Sequence, residues 1–519
     1  MCSAQSIVPA TVDAPQFDVV IIGAGIAGLG TAVMLKEHGY TDFVVLERAA
    51  DIGGVWRDNQ YPGVAVDIPS HAYQFSYFLR PDWSRMYPLG AEVKAYLDDF
   101  VQHFRLRPHL RLNSAVTRRD WDEETHCWRL TVGDRVITTR WVISAVGNFL
   151  MPRSPTIAGL ADFAGTVLYS QRWDPTCDLT GQRVAIVGTG ASAVQIVPAI
   201  AERVAHLDVY QRTPIWIVPK LDPPIPATLQ RVFRRFPSAQ HALGRTLRAA
   251  MEWLLIGGVL NYERAATRRT VHALTWLLRE VFYRRCVRDR SLRQRLTPTY
   301  GFGCKRPSLS STYLRAFNEP HVELVCDPID RVTAAGVQTV DGIDRPVDVL
   351  VLATGFHMAH EPEPYRANPV VGSDGFDLAE CFARQRSRSY EGVSIPGLPN
   401  HLFVYGPYGG TGGTYHDVVE MAGRHIVRVL DEAHRRNATR VEVSEAAADR
   451  WTATMRERAS RTLFTHNGCQ TANSYYFDRN GDLTFLRLEG FADALAAQDT
   501  FPLDDYEFSS RVPATLAHR

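Results

Sequence analysis

The sequence is poor in lysine, has no C-x-x-C pair and lacks any long apolar run. Only four of its 57 basic residues are lysines, and 56 acidic residues balance the basic ones. The net charge of +1 therefore gives no reason to expect a nucleic-acid partner. Eight cysteines without the spacing of a zinc site or a disulfide framework predict no metal and a reduced protein. The N-terminus has no signal-peptide pattern and the apolar run 253–260 is too short to cross a bilayer, so we expect a cytoplasmic protein without a transmembrane segment.

A first glycine-rich turn lies near the N-terminus. Gly23, Gly25 and Gly28 follow the apolar run 17–22 and open a helix-like stretch, which is the strand–turn–helix context of a G-x-G-x-x-G fingerprint. In such a turn the start of the helix faces a pyrophosphate. Glu47 lies 19 residues past the last glycine and offers a carboxylate to ribose hydroxyls. This motif predicts a site for FAD.

A second turn of the same kind ends in the opposite charge. Gly188, Gly190 and Ser192 follow the run 184–187, and Ala193 takes the place of the third glycine. Arg212 lies 19 residues past Ala193, where an arginine pairs with the 2′-phosphate that only NADP carries. The two turns together predict a flavoenzyme that uses FAD and NADPH.

The order of patterns predicts an α/β fold with two Rossmann-like dinucleotide-binding domains and a helical insertion. A composition of 45% hydrophobic and 22% charged residues is typical of a globular chain, and 519 residues suffice for two or three domains. Strand patterns near 322–325, 347–352 and 402–405 predict that the chain returns to close its first domain. We expect the first FAD part at 1–150, the first NADPH part at 151–221, the insertion at 222–301, the second NADPH part at 302–384 and the second FAD part with C-terminal helices at 385–519.

The insertion is rich in arginine. Residues 231–295 contain 15 arginines, no lysine and four acidic residues, together with apolar stretches at 253–260 and 274–278. Two interpretations stay open. The segment is a helical cap whose arginines are solvated or steer the anionic NADPH, or it is an amphipathic surface that contacts an anionic membrane.

Three further motifs carry a resemblance to a known family. They are Gly53-Gly54-Val55-Trp56 with Tyr61-Pro62-Gly63 and Asp67, then Phe163-x-Gly165-x-x-x-Tyr169-x-x-x-Trp173, and then Gly303-Cys304-Lys305-Arg306-Pro307. With the two glycine turns, they resemble the class B flavoprotein monooxygenases and, within them, the Baeyer–Villiger monooxygenases. The resemblance covers nearly the whole chain.

The resemblance implies an FAD-containing, NADPH-dependent and O2-dependent monooxygenase. Such an enzyme inserts one oxygen atom next to the carbonyl of a small hydrophobic substrate, ketone to ester or lactone, through a C4a-peroxyflavin. It implies that Arg306 is the cation that holds this species as an anion and that Asp67 lies close to the flavin and orients Arg306. The sequence predicts no particular oligomeric state.

Several cofactor contacts follow from the same resemblance. Arg212, Thr213 and Lys305 are expected to hold the 2′-phosphate of NADPH. Gly54 lies in the motif after the first ribose-binding acid, and Trp56 and Tyr73 are candidates to pack against the flavin, with ordinary core packing as the alternative. After Arg306 we expect a helix at 308–317.

One residue departs from the family pattern. The linker motif has Tyr169 where the family has histidine, and a tyrosine cannot become a cation near neutral pH. The change leaves a second hypothesis open, a flavin monooxygenase that oxygenates nitrogen or sulfur. A reductase with a paired redox cysteine motif is excluded, because no such pair is present.

Overall fold

The computed structural model describes residues 15–511, and its first sheet combines strands from residues 17–144 with strands at 370–371 and 401–403. The buried strand Phe17–Ile22 lies between the parallel strands Arg135–Ser144 and Phe43–Leu46. The full order across the sheet is Val370–Val371, Val116–Asp122, Cys127–Val132, Arg135–Ser144, Phe17–Ile22, Phe43–Leu46 and Leu110–Arg111. The strand His401–Phe403 pairs in parallel with the C-terminal end of Arg135–Ser144, beyond the part that pairs with Cys127–Val132.

The second sheet is entirely parallel. Its order is Val322–Val325, His206–Tyr210, Arg183–Val187, Val349–Leu352 and Thr166–Tyr169. The strand Val349–Leu352 is buried at every position, as expected for a parallel strand covered on both faces. Each sheet is packed on both faces, so the described residues form four apolar clusters, two for each sheet.

Helices cover both sheets. The helices Ile26–Glu37 and Tyr415–Arg435 pack against each other on the first sheet. In the second sheet, the helix Ala191–Ile200 follows the strand Arg183–Val187 and its glycine turn. The remaining α-helices outside the insertion are Val55–Asp58, Gly90–His103, Tyr313–Ala316, Glu363–Ala367, Leu378–Arg384, Glu445–Ala459, Leu463–His466 and Phe491–Thr500. Small strand groups are Phe149–Pro152 with Phe356–Met358, Ile217–Val218 with Ser308–Leu309, Arg440–Val443 with Tyr506–Ser509, and Ile329–Thr333 with Gly336–Thr339 and Asp344–Pro346.

The arginine-rich segment is helical, as predicted. It contains the α-helices Ala227–Arg235, Pro237–Leu255, Ala265–Leu277, Arg284–Cys286 and Arg290–Leu296, with π-helical turns at Ile256–Leu260 and Leu278–Tyr283. Over residues 15–511, no helix is both long and apolar enough to cross a membrane.

Two segments of the chain differ from the expected arrangement or qualify it. The helix expected at 308–317 is wrong over its first half, because Ser308–Leu309 pairs as a strand with Ile217–Val218 and the helix covers only Tyr313–Ala316. The strand Val370–Val371 belongs to the first sheet, so the chain touches that sheet before residue 385. The division into five domain parts remains a prediction.

Candidate active site

The first glycine turn has the geometry of an anion site. The helix Ile26–Glu37 begins directly after Gly25, with no capping side chain and no acidic residue in its first turn. Its first backbone N–H groups are therefore free to meet an anion. A side chain at Gly28 would place its Cβ 1.8 Å from the carbonyl oxygen of Gly23. The close approach explains why glycine is needed at that position.

Glu47 lies beside this turn. It directly follows the strand Phe43–Leu46 and is buried. One carboxylate oxygen accepts a hydrogen bond from the backbone N–H of Ala24 at 2.9 Å. The other accepts from the backbone N–H of Ala49 and from Arg57, each at 3.0 Å. The structure thus brings the predicted ribose-binding acid to the glycine turn.

The motif around Gly54 packs directly on the same turn. Gly54 has a φ of +55°, and a Cβ there would lie 3.2 Å from the Cα of Gly25. Trp56 follows on a short helix and donates its indole N–H to the Tyr73 hydroxyl at 3.1 Å. The two rings meet edge to face, 5.7 Å apart, and burial raises the pKa of Tyr73. Trp56 and Tyr73 therefore form one rigid aromatic pair.

The second glycine turn repeats the design of the first. Gly188 and Gly190 lie between the strand Arg183–Val187 and the helix Ala191–Ile200, which no side chain caps. Ser192 is the second residue of that helix. Thr189 donates its hydroxyl to the carbonyl of Thr213 at 2.9 Å. This bond joins the glycine turn to the loop that carries the predicted phosphate-binding arginine.

Two cations come together near that loop. Arg212 follows the strand His206–Tyr210 and is exposed. Burial and, to a smaller extent, the positive charge of Arg212 together lower the pKa of Lys305 to about 8. Each positive charge disfavours the charged form of the other residue, and a bound anion would relieve this repulsion. The structure thus brings together Arg212 and Lys305, which lie 93 positions apart in the sequence.

Arg306 and Asp67 form a bidentate ion pair. The Nε and one terminal nitrogen of Arg306 donate to the two carboxylate oxygens of Asp67, both at 2.8 Å. Asp67 raises the pKa of Arg306, so the guanidinium stays charged. The pair remains accessible, with 46% of the Arg306 side chain and 35% of the Asp67 side chain exposed. It can therefore meet a ligand while its geometry is fixed.

The chain is similar in sequence to proteins of known family. Residues 20–238 match a family model described as pyridine nucleotide-disulphide oxidoreductase. A Baeyer–Villiger monooxygenase of Streptomyces coelicolor is 38% identical over 471 residues, covering 89% of this chain and 87% of the relative. This chain belongs to the Baeyer–Villiger monooxygenase family.

Solved structures agree with that assignment. A structure of OTEMO in complex with FAD and NADP has a TM-score of 0.84 and 27% identity, covering 95% of this chain and 100% of the other. Cyclohexanone monooxygenase bound to ε-caprolactone has a TM-score of 0.81 and 26% identity, covering 95% of this chain and 99% of the other. The likeness confirms the predicted α/β fold with two dinucleotide-binding domains.

In this Baeyer–Villiger monooxygenase, Tyr169 has a cation beside it. Tyr169 ends the strand Thr166–Tyr169, and the guanidinium carbon of Arg172 lies 5.2 Å from the centre of its ring. The neighbouring Gln171 donates to the carbonyl of Gly355 at 3.0 Å, which ties the linker to the turn after the strand Val349–Leu352. A positive charge therefore lies beside Tyr169, although tyrosine itself carries none.

Sequence reasoning missed Gln195. This residue lies on the helix Ala191–Ile200 and reaches the loop that leads to Asp67. Its amide accepts from the Tyr61 hydroxyl at 3.0 Å, accepts from the backbone N–H of Ala65 at 3.4 Å and donates to the Ala65 carbonyl at 2.9 Å. Its proximity to the second glycine turn was the only signal in the sequence.

The expectation that the cysteines form no disulfide is wrong for one pair. Cys304 and Cys469 are joined, with Cα atoms 4.9 Å apart across a sequence separation of 165. They meet because the segment after Leu463 packs on residues 301–304, where Asn467 donates to the carbonyl of Phe302 at 3.0 Å. Spacing along the chain gave no hint of this contact. The crosslink directly precedes Lys305 and Arg306.

Two tyrosines near Arg306 were also missed. Burial raises the pKa of both Tyr475 and Tyr476, and the nearby Arg306 charge opposes that rise. The two rings lie 4.9 Å apart and belong to no motif recognised in the sequence.

Proposed function

We propose that this chain binds FAD at its first glycine turn and NADPH at its second, and that it converts a ketone into an ester or lactone. The overall reaction consumes the ketone, O2, NADPH and one proton, and it yields the ester, NADP+ and water. The observation that carries the proposal is the bidentate Arg306–Asp67 pair, placed next to the cation Lys305.

The donor groups of the chain fit both cofactors. Two uncapped helix starts, one at each glycine turn, suit two pyrophosphates. The Glu47 carboxylate suits ribose hydroxyls, whereas Arg212 and Lys305 suit a phosphate. When bound, reduced FAD supplies the activation of oxygen.

Arg306 is proposed as the catalytic cation. Negative charge develops on oxygen as a carbonyl is attacked, and a guanidinium donates directed hydrogen bonds to that charge. Two nitrogens of the Arg306 guanidinium donate to Asp67, and its remaining N–H groups are free to donate to the reacting atoms. A permanent cation favours anionic oxygen and attack on a carbonyl carbon over transfer to neutral sulfur or nitrogen.

Asp67 is proposed as the positioning partner of Arg306. Its two oxygens lock the guanidinium plane, and Gln195 anchors the loop only two residues earlier, at Ala65. The helix after the second glycine turn therefore holds the loop that carries Asp67.

The expected substrate is a small hydrophobic carbonyl compound, in keeping with the ε-caprolactone held by cyclohexanone monooxygenase. A cytoplasmic location fits the need for NADPH.

The test separates flavin reduction from oxygen insertion. The FAD-loaded variants Arg306→Ala and Asp67→Asn are reduced anaerobically by NADPH and then assayed with O2 and cyclohexanone. We expect Arg306→Ala to be reduced at a rate close to wild type and to lose ester formation by at least about 100-fold, the typical cost of removing a charge-stabilising donor. Asp67→Asn should lose less, since the cation remains.

Arg384→Ala serves as the matched control. Arg384 is a highly exposed arginine that pairs with Glu380 at 2.7 Å on a surface helix, and its loss should change neither step. Lactone formation by Arg306→Ala near the wild-type rate would refute the assigned role. Formation of a sulfoxide from a thioether, with no ester from any ketone, would instead establish the heteroatom-oxygenating hypothesis.

A further inference from the structure

The arginine-rich helices expose two tryptophan–leucine pairs. Trp253 and Leu254 end the helix Pro237–Leu255, and Trp276 and Leu277 end the helix Ala265–Leu277. The tryptophans are 72% and 63% exposed, and both leucines are exposed as well. A single large apolar side chain facing water is common, whereas two such pairs on the same insertion are what an interaction surface requires. We call these four residues the tryptophan–leucine surface.

Unpaired positive charge surrounds this surface. Trp276 shares a helix face with Arg269, seven residues before it, and with Arg279, three residues after it. Of the 15 arginines between residues 231 and 295, the described structure pairs only three with a carboxylate. Exposed arginines without such a partner include Arg264, Arg268, Arg269, Arg279 and Arg285.

This combination fits an anionic lipid surface. Indole rings settle at the headgroup level, leucines enter the acyl region, and guanidinium groups meet lipid phosphates. No described helix is able to span a bilayer, so contact would be at the interface. A second copy of the chain fits worse, because a symmetric interface would set the same unpaired arginines against each other.

The helix segment that carries Trp253 and Leu254 is anchored on its other side. Leu255 packs against Gly412, where an added Cβ would lie 2.0 Å from a leucine methyl carbon. Glu252 accepts a hydrogen bond from the backbone N–H of Phe491 at 2.6 Å. The part of the helix that exposes Trp253 and Leu254 is therefore fixed on its other side to Gly412 and to the start of the helix Phe491–Thr500.

We propose that the tryptophan–leucine surface and its arginines dock this protein on anionic phospholipid bilayers. The docking follows from the exposed residues and does not depend on the proposed oxygenation, so either can fail without the other.

The experiment is vesicle flotation of the FAD-loaded full chain. Vesicles of phosphatidylcholine alone are compared with vesicles containing about 30% phosphatidylglycerol, at low salt and at about 0.5 M salt. We expect flotation with the anionic vesicles at low salt only. Changing all four surface residues to serine should abolish it, and Arg268→Gln and Arg269→Gln should each weaken binding about fivefold.

Val340→Ser with Ile343→Ser is the matched control, because both side chains are exposed but lie outside the insertion. It should float like wild type. Flavin content and thermal midpoint verify folding, and the two pairs are also changed separately in case the fourfold variant does not fold. The proposal would be overturned if the protein did not bind anionic vesicles at low salt, or if none of the serine and glutamine substitutions weakened that binding. A lipid-free oligomer that dissociates in the serine variants would also overturn it, since a second copy would then cover the surface.

Discussion

NADPH affinity should fall as the pH rises from 7 to 9, because of Lys305. Its pKa is lowered from 10.5 to about 8 by burial and by Arg212. The charge is therefore present below that pKa and lost above it. A group with a pKa of about 8 is about 90% charged at pH 7 and about 10% charged at pH 9. If the 2′-phosphate requires the ammonium form, affinity should drop about tenfold over this range.

The assay is calorimetric titration of the FAD-loaded enzyme with NADP+ and, in parallel, with NAD+. NAD+ lacks the 2′-phosphate and should bind with little change between pH 7 and 9. Lys305→Arg should remove the pH dependence, since a guanidinium stays charged throughout. Lys305→Met should bind NADP+ weakly at every pH.

Lys220→Arg provides the control. Burial also lowers the pKa of Lys220, but its partner is Asp222 at 3.7 Å and it has no role in the predicted phosphate site. This variant should keep the wild-type pH profile. An equal loss of affinity for NAD+ and NADP+, or a loss that persists in Lys305→Arg, would refute the reasoning.

Two further predictions concern how the site is held in place. Gln195→Leu removes the three hydrogen bonds to Tyr61 and Ala65. We expect it to lower the ratio of ester formed to NADPH consumed while KM for NADPH stays nearly unchanged. An unaltered ratio would contradict this prediction. Cys469→Ser opens a loop closed over 165 residues, for which the chain-entropy relation gives up to about 5 kcal/mol of lost stability. In urea, the free energy of unfolding of this variant should match that of the wild type in reductant. Equal free energies of unfolding for the oxidised wild type and the variant would contradict this prediction.

The glycine turns were predictable because their chemistry is local. A buried strand, a tight turn and a helix start are all encoded within about 30 residues. Glu47 and Arg212 follow at a fixed offset, since the next strand of each sheet ends beside the turn. The structure places the Glu47 carboxylate at the backbone N–H of Ala24, and its role toward a ribose stays a prediction.

Contacts between distant segments were not predictable from the residues alone. Arg306 and Asp67 are 239 positions apart, and only the family resemblance joined them. Cys304 meets Cys469 through packing of two irregular segments, which leave no periodic pattern. Ser308–Leu309 forms a strand against its sequence pattern because Ile217–Val218 is available as a partner, so tertiary pairing overrides local preference.

The split origin of the first sheet has a consequence for how the chain is made. Arg135–Ser144 is complete only when His401–Phe403 lies beside its C-terminal end, and more than 250 residues separate the two. On the ribosome, the second sheet and the helical insertion are synthesised in between. The strands of the first sheet that are synthesised early therefore keep one apolar edge uncovered until the later part of the chain emerges. A truncation before residue 401 would leave that edge permanently open to other chains, so aggregation rather than loss of one cofactor should be its first symptom.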